Sequence, residues 1–352
     1  MAASSAPPLR AADALAGTPV LVLGGSGYLG RHICSALTAA GARVVRVSRG
    51  SLSGDGTDGG GADGDGCRSV RLDLTAAGPA ELARLCADTG ARVLVNAAGA
   101  VWGGGERQMA EANSGFVSRL TTAVAHLPDR PRLIHLGSAY EYGPAAPGTS
   151  IGEDWPTDPA TVYGRTKLRG SQAVLRAAAE GSVAGTVLRV SVACGPGAPG
   201  TSLTGVVAAH LTAGHGELRL APLRDHRDLV DVRDVADAVI AAAVAPVGAV
   251  TGAVVNIGSG QAVHVRRLVD LMIALSGLPV RVVEDPALHR TRSDAAWQRL
   301  DIARARRLLG WAPRRTLQES LRDLLAAAGS PPAAVRTATA GGPGNSHGKD
   351  SR

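Results

Sequence analysis

Tyr163 and Lys167 stand four residues apart in the segment Tyr-Gly-Arg-Thr-Lys. On a helix that spacing puts both side chains on one face. A phenol with its ordinary pKa of about 10 is a weak acid–base group at neutral pH, and a neighbouring ammonium brings that value down by stabilising the phenolate. The same ammonium can hold a ribose hydroxyl. Composition adds weight: Lys and Arg total 37, yet the only lysines are Lys167 and Lys349. A chain that uses arginine almost everywhere has kept one lysine in its body, where a guanidinium would not supply the compact donor of an ammonium. Ser138, 25 positions before Tyr163, ends a candidate strand and offers a hydroxyl to a carbonyl or alcohol oxygen. Asn113, in the helix before that strand, suits the holding of a proton-relay water. The plain alternatives are an exposed i,i+4 pair, a turn-starting serine and a polar helix residue.

A second constellation precedes this one. Gly24-Gly25-Ser26-Gly27-Tyr28-Leu29-Gly30 follows a first strand and opens a helix. Glycines at 24, 27 and 30 allow a tight turn and a close approach of a diphosphate to the helix N-terminus, where free N–H groups and the helix dipole hold the anion. With 46 glycines in the chain the pattern alone is weak, and its placement between strand and helix carries the inference. The second strand ends in Ser48-Arg49 rather than in an acidic residue that would bind a ribose 2′-hydroxyl. A 2′-phosphate fits that pair, so the predicted cofactor is NADP(H), with NAD(H) second. Asp73 and Leu74 close the third strand, with Asp73 placed either to reach the adenine or to cap the turn at Thr75.

The elements that must position these residues follow from periodicity. Apolar runs at Pro19–Leu23, Arg43–Val47, Ser69–Leu72, Arg92–Val95, Arg132–Leu136 and Thr186–Val190 alternate with candidate helices at 28–40, 80–88, 106–127 and 160–180. Such alternation predicts an α/β fold, a Rossmann-type doubly wound parallel sheet, over 18–195. Beyond it, helices at 202–213, 232–245, 264–276, 302–309 and 316–327, with strands near 254–257 and 280–283, predict a smaller C-terminal α+β substrate lobe over 196–329. Residues 1–17 and 330–352 are Ala/Pro/Gly/Ser-rich and predicted disordered, and 50–66 is a flexible acidic loop. The net charge of +7 is carried by scattered arginines without a basic block, which suits a phosphorylated small molecule and not a nucleic acid. Cys34, Cys67, Cys86 and Cys194 lack metal-ligand spacing, and no apolar segment is long enough for a membrane span. A soluble, cytoplasmic protein without a metal site is expected.

Together these motifs resemble the extended short-chain dehydrogenase/reductase family, in its nucleotide-sugar branch, over about residues 18–328. The glycine turn, Asn96-Ala97-Ala98-Gly99, Ser138, the Tyr163/Lys167 pair, the segment Gly137–Gly143, Arg227-Asp228-Leu229-Val230-Asp231-Val232-Arg233-Asp234, Asn256–Gly260 and Leu309-Gly310-Trp311-Ala312-Pro313 occur in the family's order. The resemblance implies that Ala97 and Ala98 line the cofactor and that Ser138, Glu141, Arg227 and Arg292 meet a nucleotide-diphosphate sugar, in a homodimer. Within the branch the chain looks most like NDP-4-keto-6-deoxyhexose 4-ketoreductases, including GDP-4-keto-6-deoxymannose reductase. Ser138-Ala139-Tyr140 replaces the Thr-Asp-Glu of the dehydratases, which removes the acid pair needed to eliminate water. Val192 stands where many relatives carry an asparagine, and Arg290 competes with Arg292 for the C-terminal diphosphate contact. The implied activity is NADPH-dependent reduction of a C4 ketone. A 4-epimerase with tightly held NAD and a non-catalytic NADP-sensing regulator are the rivals.

Overall fold

Strand β1 (Pro19–Leu23) shows why the centre of the molecule is a sheet covered on both faces. Val20 and Val22 point into one apolar cluster with Ile33 and Leu37, while Leu21 and Leu23 point into another with Leu82, Phe116 and Leu120. A strand that is apolar on both sides must lie between two layers of helices. The computed structural model describes residues 14–49, 66–100, 105–214, 216–288 and 296–329.

The other strands are β2 (Arg43–Ser48), β3 (Arg68–Arg71), β4 (Val93–Asn96), β5 (Arg132–Ser138), β6 (Gly185–Val190), β7 (Val192–Cys194), β8 (Glu217–Leu220), β9 (His226–Asp231), β10 (Val254–Ile257), β11 (Ala262–His264) and β12 (Arg281–Glu284). The helices are α1 (Tyr28–Ala39), α2 (Pro79–Thr89), α3 (Glu106–Ala110), α4 (Phe116–Ala125), α5 (Val162–Ala179), α6 (Leu203–Ala213), α7 (Val232–Val244), α8 (Val247–Val250), α9 (Val265–Ser276), α10 (Ala303–Leu309) and α11 (Leu317–Gly329). Seven strands form one sheet in the order β10-β6-β5-β4-β1-β2-β3, every neighbouring pair parallel. The order reverses at β1/β4, the place where an open α/β sheet leaves a crevice for a ligand. The predicted doubly wound sheet is therefore present.

Two features differ from the sequence pattern. The predicted helix 106–127 is two helices joined by a π turn over Glu111–Gly115, a distortion that tends to mark functional sites. Elements beyond residue 195 also return to the first half. Strand β10 returns to pair with β6, and Val235 and Val239 of α7 pack with Ile33 and Leu37 of α1. What remains of the C-terminal half is a separate lobe, with the three-stranded sheet β11-β9-β7 and the pair β12-β8. Leu211, Leu218, Leu268, Met272 and Leu321 form its core. The strands β7, β8, β9 and β11 were not evident from the sequence, because three- to six-residue segments paired far along the chain carry little periodic signal.

Candidate active site

At the cofactor end the structure works with backbone. Gly24 adopts φ +78, and a Cβ there would lie 2.7 Å from the Ala98 backbone. A Cβ on Gly30 would collide with the Gly24 carbonyl. Helix α1 starts at Gly27 with no side-chain cap and no acidic residue in its first turn. Its first N–H groups and dipole are thus left for an external anion, and a dinucleotide diphosphate fits a cradle that a single methyl group would fill. Ser26 is exposed, Leu29 is half-buried, and the Tyr28 hydroxyl donates to the Gly195 carbonyl at 3.3 Å, tying the turn to the loop after β7. Ala97 donates its N–H to Leu23 O, and Ala98 donates to Asn96 Oδ1 at 3.1 Å.

Ser48 ends β2 as a buried residue and Arg49 follows it exposed. Asp73 accepts from the Thr75 N–H at 3.0 Å and the Thr75 hydroxyl at 2.7 Å. Those bonds, with the Arg49 charge nearby, hold its carboxyl below the ordinary range. Asp73 thus caps the turn at Thr75 through Oδ1 and is exposed. Leu74 is buried beside it.

The catalytic end works with side chains. Thr161 caps α5 by accepting from the Gly164 N–H at 3.0 Å, a stop-and-start signal legible in retrospect. In the first turn, Tyr163 shares a hydrogen bond with the Ser138 side chain. Lys167 is 5% exposed and donates to the Leu136 carbonyl at 2.6 Å. Ser138 is the N-cap of a short 3-10 turn, accepting from the Tyr140 N–H at 3.2 Å. The turn-starting reading of that serine is realised, and its hydroxyl also lies within hydrogen-bonding reach of Tyr163. The phenol, however, is not lowered as the Tyr/Lys spacing suggests. Burial pushes Tyr163 up to about 12, against the Ser138 hydrogen bond and with help from Glu141 and Tyr140. Burial also brings Lys167 down to about 8, opposed by the Glu141 charge. At neutral pH this site holds a protonated phenol, which is a proton donor.

Two predicted site residues are tied into the scaffold. Glu141 was expected at the substrate and is fully buried. Its Oε1 accepts from the Ser138 N–H and from the Ser171 hydroxyl, each at 2.8 Å, and its Oε2 pairs with Arg189 Nε at 2.8 Å. Arg189 in turn lies 4.4 Å over the Tyr142 ring, whose hydroxyl donates to Asn256 Oδ1 at 2.7 Å. A buried carboxylate paired in this way holds the start of the 3-10 turn, α5 and β6 together. Asn113 is likewise tied in. Its Oδ1 accepts from Ala100 N–H at 3.0 Å, and its Nδ2 donates to Ala100 O at 2.9 Å and Thr166 Oγ1 at 3.0 Å. Its side chain clamps the loop after β4 to α5. Arg227 is buried and paired with Asp225 at 2.7 Å. Arg292 lies outside the described residues, as do the 50–65 loop and both chain ends.

The bare helix start at the sheet crevice and the Ser138/Tyr163/Lys167 cluster define a dinucleotide-using enzyme of the short-chain dehydrogenase/reductase type. Residues 20–258 match the NAD dependent epimerase/dehydratase family, and the chain belongs to it, in the extended, nucleotide-sugar branch. The chain is 42% identical over 323 residues to a dTDP-6-deoxy-L-talose 4-dehydrogenase (NAD(P)(+)) of Kitasatospora kifunensis, covering 90% of this chain and 97% of the relative. A shorter stretch, 28% of this chain and 31% of the relative, is 34% identical to a GDP-6-deoxy-D-mannose reductase of Pseudomonas aeruginosa. Among solved structures, RMD from Pseudomonas aeruginosa complexed with NADPH superposes with a TM-score of 0.73 at 22% identity, over 89% of this chain and 99% of that one, and so shares the fold. Among the described residues no helix is long and apolar enough to cross a membrane.

Proposed function

We propose that this protein is an NADP(H)-dependent 4-ketoreductase of a dTDP-4-keto-6-deoxyhexose. The observation that carries the reading is the near full-length 42% identity to a dTDP-6-deoxyhexose 4-dehydrogenase, joined to a site whose phenol is protonated at neutral pH. A 4-dehydrogenase and a 4-ketoreductase run one equilibrium in opposite directions, so the relative's name and the reductase reading describe the same chemistry at C4. That relationship also favours dTDP over GDP as the nucleotide.

A nicotinamide dinucleotide supplies the hydride to C4 when bound. Tyr163 donates its proton to the C4 oxygen as negative charge develops there. Ser138 hydrogen-bonds the same oxygen and shares it with the phenol. Lys167, held by Leu136 O, keeps a positive charge one turn from Tyr163 and supports the phenolate left after transfer. In the oxidative direction the same groups act in reverse. Arg49, beside Ser48, is the residue proposed to face a 2′-phosphate, because guanidinium matches that geometry. Arg227 can reach a substrate diphosphate only by sharing or leaving Asp225.

The test is purified protein with NADPH and either a dTDP- or a GDP-4-keto-6-deoxyhexose, read as loss of NADPH absorbance and as product NMR. Consumption with the dTDP sugar is expected. No consumption with either sugar refutes the reductase reading. Release of NAD on denaturing the purified protein points instead to a 4-epimerase, the activity named for a 31% identical relative from Mycolicibacterium smegmatis that aligns with 53% of this chain.

A further inference from the structure

We propose that Glu141 is a positioning residue for the reaction: its buried carboxylate, anchored by Arg189, holds the Ser138 turn against α5 and keeps Lys167 a cation, an inference that rests on the Ser138/Tyr163/Lys167 reading above. Tyr163, Lys167 and Ser171 stand at i, i+4 and i+8 of α5 and so share one face, with Lys167 in the middle. Glu141 reaches both ends of that row through one oxygen. Its Oε1 accepts from the N–H of Ser138, the partner of Tyr163, and from the hydroxyl of Ser171, one turn past Lys167. Its Oε2 takes Arg189 Nε from β6. The chain makes room for this carboxylate at Gly137, where a Cβ would lie 2.6 Å from Oε1 and 3.0 Å from the Ser171 hydroxyl oxygen.

Stability does not account for the pair. Glu141 is fully buried and Arg189 nearly so, and replacing a buried ion pair by apolar packing of equal volume is often neutral or stabilising. What the carboxylate supplies is a charge where one is needed. Lys167 has lost almost all contact with water, and its ammonium donates to a neutral carbonyl, Leu136 O. Burial drives such a group to shed its proton, and a neutral amine would not support the phenolate that Tyr163 leaves behind. Of the titratable groups around Lys167, Glu141 on the 3-10 turn brings the negative charge that opposes this loss. Tyr163, on the same helix, is a neutral phenol at pH 7. The His135 ring of β5 is held far below the usual imidazole range by burial and by the Lys167 charge, so it too is neutral. Arg189 of β6 is a cation, spent on Glu141 and stacked over the Tyr142 ring.

The scarcity of lysine makes the test direct. In the full chain isotopically labelled at lysine Cε, proton–carbon NMR shows one signal each for Lys167 and Lys349, and Lys349→Arg leaves that of Lys167 alone. Its titration is followed without cofactor or substrate, and in the wild type the midpoint is expected at about pH 8. The variants are Glu141→Gln and Glu141→Gln/Arg189→Met, the second leaving no unpaired guanidinium in the core. In both, the acid dissociation constant of Lys167 should rise about tenfold or more. Ser171→Ala removes a neutral partner of the same carboxylate oxygen and should leave the midpoint near its wild-type place. The alkaline limb of kcat for NADPH-dependent reduction should move down with the midpoint, while the KM of NADPH holds. An unchanged midpoint in the double variant overturns the proposal. A Ser171→Ala shift as large as that of Glu141→Gln assigns the effect to anchoring rather than charge, and overturns it as well. A kcat limb that stays in place while the midpoint falls overturns the role in the reaction. A wild type that reduces no 4-keto sugar sinks the reductase reading and leaves the Lys167 titration standing.

Discussion

The two ends of the cleft are built by opposite means. At α1 the site depends on what is missing: no Cβ on Gly24 or Gly30, no side-chain cap, no carboxylate in the first turn. At α5 it depends on what is present: a threonine cap, a phenol, an ammonium and a serine across from them. Even the glycines of α5 serve the side chains. Gly164 lets the helix close on the Tyr140 carbonyl, and Gly170 lets it close on the Asn113 carbonyl, so that Tyr163 and Lys167 are set at a fixed depth. A backbone cradle suits the diphosphate of any dinucleotide. The side-chain end decides what is done with it. Substitution should therefore separate them: truncation damages the α5 end, and added volume damages the α1 end.

The largest effect is expected at Tyr163. Tyr163→Phe keeps the ring and its packing on Tyr140 but removes the proton donor. The general acid contributes about 10²–10⁴ in rate, so kcat should fall by that factor while the NADPH Kd and the fold stay as they are. Single-turnover kinetics with dye-free binding of NADPH measures both, and a variant of near wild-type kcat would break the division between the two ends.

Lys167 tests the cost of the side-chain end. Its folded pKa of about 8 lies below the ordinary 10.5 because burial disfavours the cation. The penalty is present in full below pH 8, where both folded and unfolded chains are protonated, and is relieved as pH rises from 8 toward 10.5, where the unfolded chain binds more protons. Wild-type stability should thus rise across that window relative to Lys167→Met, which is expected to be inactive yet more stable at pH 7 by up to about 3 kcal/mol. Urea unfolding at pH 7 and pH 10 gives the difference directly. A variant that is less stable at pH 7 means that the Leu136 hydrogen bond outweighs the desolvation.

How much of this was legible before folding differs between the same two ends. The glycine turn is seven consecutive residues, and Tyr163 and Lys167 share one helical turn, so local spacing was enough to find them. Ser138 was placed by its position at the end of β5. What did not show was pairing at long range. Glu141 was expected at the substrate through the resemblance of the Gly137–Gly143 segment, and only the fold brings Arg189, 48 positions on, against its carboxylate. Asn113 sat in a plausible helix, but the π turn that turns its amide toward Ala100 and Thr166 has no periodic signature. Strand β10 was recognised as a strand, whereas its return to the main sheet depends on a partner in β6 more than sixty positions earlier.

Gly30 sharpens the other side of the comparison. A Gly30→Ala methyl would meet the Gly24 carbonyl and the Gly25 Cα at 2.8 Å, so the turn must open. Overpacking of this kind costs about 1–3 kcal/mol. The expected outcome is a roughly tenfold or greater rise in the Kd of NADPH and NADH alike, measured by fluorescence titration, with no change in the NADPH to NADH ratio. An alanine tolerated without loss would show that the cradle has slack that the helix start does not reveal.

The smallest effect should come from Arg49, where a side chain operates at the backbone end. The residue is exposed, close enough to Asp73 to lower that carboxyl, and proposed to face only the 2′-phosphate that separates NADP from NAD. Replacing it by serine removes one exposed charge pairing, worth about 1 kcal/mol or less for a surface contact and somewhat more for a bidentate guanidinium–phosphate pair. Arg49→Ser should therefore lower the preference for NADPH over NADH by about tenfold at most, entirely through the KM of NADPH, and the effect should shrink as salt screens the charge. A preference that survives the substitution unchanged would move discrimination away from the end of β2. The α1 end would then be a backbone site in its specificity as well as in its affinity.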